Sequence, residues 1–330
     1  MPDILFVGIV IAIALIFDFI NGFHDSANSI ATVVATNVLS PRKAVALAAF
    51  WNMFGAFVFG VAVATTIGKG VIDSKIVNIY VILAALIGAI AWNIITWFYG
   101  IPSSSSHALI GGLIGAGIVA GGFNIVQAAG LGKILAFIFL APLIGFIGAI
   151  IFSIIMLWSF KKFTPIGVNK YFKKLQLVSS SFYSLGHGTN DAQKTMGIIS
   201  LLLFSSGLIS TFYIPKWVII LSHSAIALGT LFGGWKIVKT MGTKITKLRP
   251  FDGFSAETSG GLVLLSTAYF GIPVSTTHVI AGSIMGVGSV KRSSGVRWAI
   301  ARRIVVAWII TIPISAIIGS ISYLVISSFV

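Results

Sequence analysis

The sequence predicts an all-α polytopic membrane protein made of two inverted repeats, with broken helices or re-entrant hairpins at the midplane. Three observations carry this. The chain is 57% hydrophobic and only 9% charged, with a mean hydropathy of +1.04; a soluble chain of 330 residues needs far more charge to cover its surface. Its apolar residues fall in blocks long enough to cross about 30 Å of hydrocarbon at about 1.5 Å per residue, without the alternation of a transmembrane barrel. Two polar motifs each occur twice, once per half.

The elements follow in order. The first block, 4–20, begins almost at the N-terminus without the basic region and small-residue cleavage site of a signal peptide, so it is read as the first span. Blocks 44–67, 76–99, 104–120 and 131–159 complete an N-terminal transmembrane repeat over 1–160. The stretch KKFTPIGVNKYFKK opens a basic cytoplasmic linker over 161–178. Blocks 179–212, 217–240, 258–271, 274–290 and 297–328 make a C-terminal transmembrane repeat over 179–330. Blocks 104–120 and 274–290 are short and glycine-rich, which suits a re-entrant segment as well as a span.

Motif spacing supports a duplication. Asp25 and Asp191 are separated by 191 − 25 = 166 residues, and His107 and His278, like Pro102 and Pro273, by 278 − 107 = 171. Offsets that agree within a few residues are expected of a repeat with one small indel.

Net charge is +15. On a soluble protein that would point to nucleic acid, but here the basic residues fill gaps between apolar blocks and read as topology signals. The clusters are Arg42 and Lys43; Lys161, Lys162, Lys170, Lys173 and Lys174; Lys236, Lys239, Lys244, Lys247 and Arg249; and Lys291, Arg292, Arg297, Arg302 and Arg303. The gap with Lys69, Asp73 and Lys75 is weaker. If each block crosses once from an outside N-terminus, all four strong clusters fall inside. Five crossings per half is odd, which would invert the halves, as in many secondary transporters. There is no cysteine, hence no disulfide or thiolate chemistry.

The first repeated motif is DFINGFHDSANSIATVVATN (18–37), matched by LGHGTNDAQKTMGIIS (185–200). An aspartate near the bilayer centre costs about 2.5–3.5 kcal/mol on insertion scales. Helix capping near water would explain Asp25 and Asp191. A cation site explains them better: carboxylates with the amides of Asn28 and Asn190, on helices interrupted by glycine, suit Na⁺ or a proton relay. The second motif is GIPSSSSHALIGG (100–112), matched by GIPVSTTHVIAGS (271–283). Proline ends a helix or opens a new one. The hydroxyls of Ser103, Ser104, Ser105 and Ser106, and of Ser275, Thr276 and Thr277, would then lie at helix starts. Free N–H groups and the positive dipole end make such a start an anion site, and neutral hydroxyls suit a tetrahedral oxyanion that must bind and leave. Plain N-capping is the alternative, and duplication beside the aspartate motif weighs against it.

Asn21, His107, Gln193, Lys194 and His278 are secondary candidates. Lys194 follows Asp191 at i+3, on one helix face; an internal ion pair is the plain reading and direct anion contact the sharper one. His187 and His223 read as structural, and the glycines from Gly111 to Gly122 as helix-packing residues.

GFHDSANSIATVVATNVLSPRKAV with GHGTNDAQKTMGI resembles the paired signature of the inorganic phosphate transporter (PiT) family, over nearly the whole chain. The resemblance implies inverted repeats, hydroxyl-rich hairpins at the midplane, and inorganic phosphate carried with Na⁺ or H⁺. Ser103–Ser106 and Ser275–Thr277 would hold phosphate; Asp25, Asn28, Asn190 and Asp191 would hold cations, with Na⁺ at Asp25 and Asp191. His24 stands where many members have asparagine, and the central linker is short. No other cofactor is implied. The expected setting is the lipid bilayer of the cell's inner membrane, and a homo-oligomer stays open. Proton-coupled sulfate transport is the alternative within this fold; an intramembrane serine hydrolase and a passive anion channel are further readings.

Overall fold

The computed structural model describes residues 3–58, 60–73, 77–290 and 292–329. Lys75 and Lys291, two of the residues read as topology signals, lie outside them. Among the described residues, twelve α-helices fall into two sets of six. The first set is α1 (Ile4–Ala35), α2 (Pro41–Phe54), α3 (Ala62–Gly70), α4 (Ile79–Tyr99), α5 (Ser105–Gly121) and α6 (Ala128–Ser159). The second is α7 (Pro165–Ser205), α8 (Lys216–Phe232), α9 (Trp235–Lys239), α10 (Pro250–Tyr269), α11 (Thr276–Ser289) and α12 (Trp298–Ser327).

The sets match feature by feature. Gly100 and Gly271 end α4 and α10 with φ of +64° and +66°, a left-handed turn that glycine makes without steric cost. Ser104 and Ser275 cap α5 and α11 by accepting from the backbone N–H of His107 (3.2 Å) and His278 (3.3 Å). Pro142 and Pro313 lie inside α6 and α12. The shift in offset has a location. From Asp25 to the α1 C-cap, Thr36, is 36 − 25 = 11 residues; from Asp191 to the α7 C-cap, Ser206, is 206 − 191 = 15. The difference is about one helical turn of 3.6 residues, so α7 is longer without rotating its faces.

Three expectations change. Blocks 44–67 and 217–240 are not single helices: α2 gives way to α3, and α8 bends by 65° into the segment that begins with α9. Length and hydropathy alone count α4 as a crossing helix, yet it turns back on α5. A Cβ on Gly112 would sit 2.4 Å from the Ala85 carbonyl oxygen, so the two arms pack antiparallel. Blocks 76–99 and 104–120 are thus one re-entrant hairpin, as are α10 and α11, where Gly260 approaches Ser283. Finally, residues 165–178 of the segment read as a linker are the first turns of α7.

Contacts fix the direction of each hairpin. The first has its base at the face where the chain starts: Phe6 of α1 meets Tyr80 of α4 with ring centroids 5.7 Å apart, and the Gln127 N–H donates to the Val71 carbonyl at 3.0 Å. From that base α6 crosses the bundle. α11 runs parallel to α6, since Gly282 approaches Pro142 and Gly286 approaches Phe146. α5 runs toward the starting face, parallel to α12, with Gly111 against Ile312 and Gly115 against Ala316. The hairpins therefore enter from opposite faces, each clamped by the last helix of the other repeat through glycines that admit backbone contact. Each repeat has three crossings, α1 or α7, the bent pair and α6 or α12; three is odd, so inversion survives. Arg42 and Lys43, the cluster from Lys161 to Lys174, the run from Lys239 to Arg249, and Arg292, Arg297, Arg302 and Arg303 all lie toward the face opposite the starting one.

Candidate functional site

The two hairpin tips meet at the centre of the bundle between α1 and α7. The rings of His107 and His278, one turn into α5 and α11, make an edge-to-face pair with centroids 4.8 Å apart, and His278 stacks on Trp308 at 4.0 Å. Both helix N-termini, with their free N–H groups, thus point into one small region. Ser103, Ser104, Ser105, Ser106, Ser275, Thr276 and Thr277 are all buried, none more than 5% exposed. Asp25, Asn28, Asn190 and Asp191 are at most 2% exposed, so the site is occluded from both faces.

The hydrogen bonds join the motifs. Thr276 donates to Asp191 Oδ2 (2.9 Å) and Thr277 lies 3.5 Å from Asp25 Oδ1. The Asn28 amide donates to Thr277 (2.9 Å) and Thr276 (3.2 Å). The second hairpin therefore closes on carboxylates from both repeats. In the first hairpin, Ser103 donates to Thr96 at 2.9 Å, and Ser106 accepts from the Lys194 ammonium. Lys194 also pairs with Asp191 and donates to the Val274 carbonyl at 2.9 Å. His24 bridges Asp25 (2.6 Å) and Thr96 (3.0 Å).

Several buried oxygens here are unspent: among the described residues, Asn28 Oδ1, Asn190 Oδ1 and Ser105 Oγ have no hydrogen-bond partner. Hard cations take such carboxylate, amide and hydroxyl oxygens. Asp25, His187 and Asp191 each bring one ligand atom to within 4.8 Å of the others. His187 bridges helices as expected, with Nδ1 3.2 Å from Asn52 Oδ1 of α2, and its Nε2 also lies 3.2 Å from Asp191 Oδ2. His223 is structural as expected, bonded to the Asn52 carbonyl at 2.7 Å. Asn190 anchors α7 on α10 through the Leu264 carbonyl at 2.8 Å. Gln193 is engaged outside the cluster, accepting from the Ala64 N–H of α3 at 3.1 Å. Asn21 is buried beside Asp18.

Besides Asp252, which pairs with Arg249, two buried acids were not singled out in the sequence. Glu257 of α10 accepts from Thr32 (2.5 Å), Gln176 (3.0 Å) and Ser179. It begins a layer of polar groups that continues through Thr36, bonded to Gln176 at 2.9 Å, to a basin of about 1020 Å³ on the basic face. Lys161, Lys173, Lys247, Arg249 and Arg297 line that basin. Asp18 lies two turns before Asp25 on α1, fully buried beside Asn21 and Thr195. A carboxylate inside an apolar run was the available signal for Asp18. Glu257 falls one residue outside block 258–271, so block boundaries hid it.

Serine hydrolysis does not fit. Ser104 spends its oxygen as a helix cap, and among the described residues His107 Nδ1 has no hydrogen-bond partner to orient the ring.

A model described as the phosphate transporter family matches residues 21–319. The chain is 57% identical over 314 residues to a probable low-affinity inorganic phosphate transporter of Rhizobium meliloti (strain 1021), covering 95% of this chain and 94% of the relative. It is 48% identical over 323 residues to a protein of the same description from Bacillus subtilis (strain 168), covering 97% and 96%. A solved structure described as the sodium-dependent phosphate transporter superposes with a TM-score of 0.88 at 26% identity, covering 99% of this chain and all of that one.

Proposed function

This chain belongs to the phosphate transporter family, and on that premise we propose that it is a cation-coupled symporter of inorganic phosphate working by alternating access. It is a multi-pass protein of the cell membrane and not an enzyme. The observation that carries the mechanism is the convergence of two hydroxyl-capped helix starts and two aspartates in one occluded cluster. Ser103–Ser106 and Ser275–Thr277, with the first-turn N–H groups of α5 and α11, hold the phosphate. Asp25, Asn28, Asn190 and Asp191 hold positive charge beside it; Na⁺ is the favoured ion, since the structurally similar transporter is described as sodium-dependent.

Coupling is electrostatic. Bare carboxylates repel a phosphate, and cations cancel that charge, so each ligand raises the affinity of the other. The inverted hairpins supply the two states: withdrawing the first opens the site toward the starting face, withdrawing the second toward the basic face. By the positive-inside rule the basic face is cytoplasmic. Its basin of lysines and arginines draws the anion toward the interior.

The test is uptake of labelled phosphate into liposomes holding the purified chain, under imposed Na⁺ or pH gradients, with sulfate as competitor. Accumulation against the phosphate gradient that collapses without a cation gradient is expected. Equilibration without accumulation would indicate a passive channel, and preferential displacement by sulfate would move the reading to a sulfate permease.

A further inference from the structure

The repeat offset of 166 residues places Lys194 where the first half has Asn28 (194 − 28 = 166). Both face the hairpin tips, but their chemistry differs. Asn28 gives its amide N–H groups to Thr276 and Thr277 and keeps its oxygen unspent. Lys194 is 1% exposed, and its ammonium has three acceptors: the Asp191 carboxylate, the Ser106 hydroxyl and the Val274 carbonyl. An ammonium has three N–H donors and no acceptor, so none is left for a phosphate oxygen. That excludes direct anion contact in this state. A simple ion pair explains Asp191 alone; it does not explain oxygens drawn from both hairpins. Carboxylate, hydroxyl and carbonyl, converging from three segments on one positive centre, are the ligands a hard monovalent cation takes.

We propose that Lys194 is a tethered cation: its ammonium permanently fills the place at Asp191 that a mobile coupling cation would otherwise take, leaving the Asp25 half for the mobile ion. The proposal rests on the symport reading and refines it. The lysine keeps Asp191 throughout, because the two share one helix at i and i+3. It releases Ser106 when the first hairpin withdraws and Val274 when the second does. A permanent charge lowers the repulsion of phosphate at every step without entering from solution. Phosphate then requires one fewer external cation than a site with amides in both halves.

The experiment compares the full-length parent with Lys194→Asn, which copies the first-half residue, and Lys194→Arg, which keeps the charge. Labelled-phosphate uptake is measured across a Na⁺ series, with choline as replacement and the pH gradient fixed. The parent should show a Na⁺ order no greater than one. Lys194→Asn should lose at least about tenfold at low Na⁺, an energy of about 1.4 kcal/mol, recover as Na⁺ rises, and show an order higher by one. Lys194→Arg should keep the parent order. As a readout independent of transport, Na⁺ should raise the melting temperature of detergent-purified Lys194→Asn more than that of the parent. A parent order of two would place a mobile ion at each aspartate and overturn the proposal. So would a folded Lys194→Asn that Na⁺ neither restores nor stabilises. If Lys194→Asn does not fold, the parent order decides. If the parent carries no phosphate, the symport reading fails while the Na⁺-dependent melting still decides the role of the lysine.

Discussion

Asp25 and Asp191 occupy matching places in the two repeats and keep different company. Asp25 has an imidazole at 2.6 Å, a threonine hydroxyl at 3.5 Å and an asparagine one turn on. Asp191 has an ammonium, an imidazole at 3.2 Å and a threonine hydroxyl at 2.9 Å. The backbone around them is nearly the same in both halves, down to the left-handed glycines and the serine caps. The geometry is shared and the side chains differ: the second half carries a counter-charge in Lys194 where the first half has the amide of Asn28. The largest effects should test this division. Asp25→Asn and Asp191→Asn should each abolish coupled uptake at equal expression. Only Asp191→Asn should also destabilise the fold, because removing one member of a buried ion pair strands the other, at a cost of about 3–5 kcal/mol. Adding Lys194→Asn to Asp191→Asn should recover most of that loss in thermal melts. Equal melting temperatures for the two single variants would mean that the halves are not divided in this way.

The hydroxyl tips give the next largest contrast. Replacing Ser104, Ser105 and Ser106 together by alanine removes donors that bind no carboxylate. At roughly 0.5–1.5 kcal/mol per hydrogen bond, and more to a charged partner, the half-saturating phosphate concentration should rise at least about tenfold with little change in Na⁺ dependence. Thr276 and Thr277 instead lie against Asp191 and Asp25, so their alanine variants should shift Na⁺ and phosphate dependence together. Uptake titrated against each ion separates the two cases. An unchanged phosphate dependence in the serine variant would return those residues to helix capping.

These contrasts also mark how far the sequence could be read. The hairpin tips were legible because a proline before a hydroxyl run has few uses inside an apolar block, and both copies form tips. The aspartates were legible because a lone carboxylate there is costly. The arms α5 and α11 were legible in the short, glycine-rich blocks 104–120 and 274–290, but α4 was not, since it is as long and apolar as a crossing helix and only its packing on α5 reveals the return. Nor was the exchange of clamps, in which α12 covers α5 and α6 covers α11, because glycine spacing names a packing face without naming its partner. The network of Thr32, Gln176, Ser179 and Glu257 draws on three helices and leaves no local pattern.

That network makes the two closures unlike. Glu257 corresponds to Leu86 in the first half (257 − 86 = 171), which is buried among apolar side chains. Opening the starting face must expose apolar surface, at about 25 cal/mol per Å². Opening the basic face can exchange polar partners for water, which costs less per group. Glu257→Gln puts an amide N–H group among the donors Thr32, Gln176 and Ser179. Losing about one hydrogen bond, roughly 1 kcal/mol, should change the rate of phosphate exchange through the basic face about fivefold and leave the affinity measured from the starting face unchanged. Equal changes in both directions would place Glu257 in the shared site instead.

The smallest effect should come from Asp18, two turns from Asp25 on the same helix. It is fully buried beside Asn21 and Thr195. Burying a carboxylate carries a desolvation cost that a neutral amide of the same shape does not. Asp18→Asn keeps the shape and removes the charge, so the variant should melt at or slightly above the parent temperature and carry phosphate within about twofold of its rate. Asp25→Asn, with the same chemistry seven residues on, should lose uptake altogether, because Asp25 alone of the two reaches a hairpin hydroxyl. The pair therefore asks whether function follows burial of a carboxylate or its contact with the moving tips. If Asp18→Asn instead lost Na⁺ dependence, α1 would carry two working carboxylates against the one that α7 pairs with its lysine. The coupling ion would then pass along α1 before reaching the phosphate, and the division between the halves would lie in the route of the ion as well as in the site.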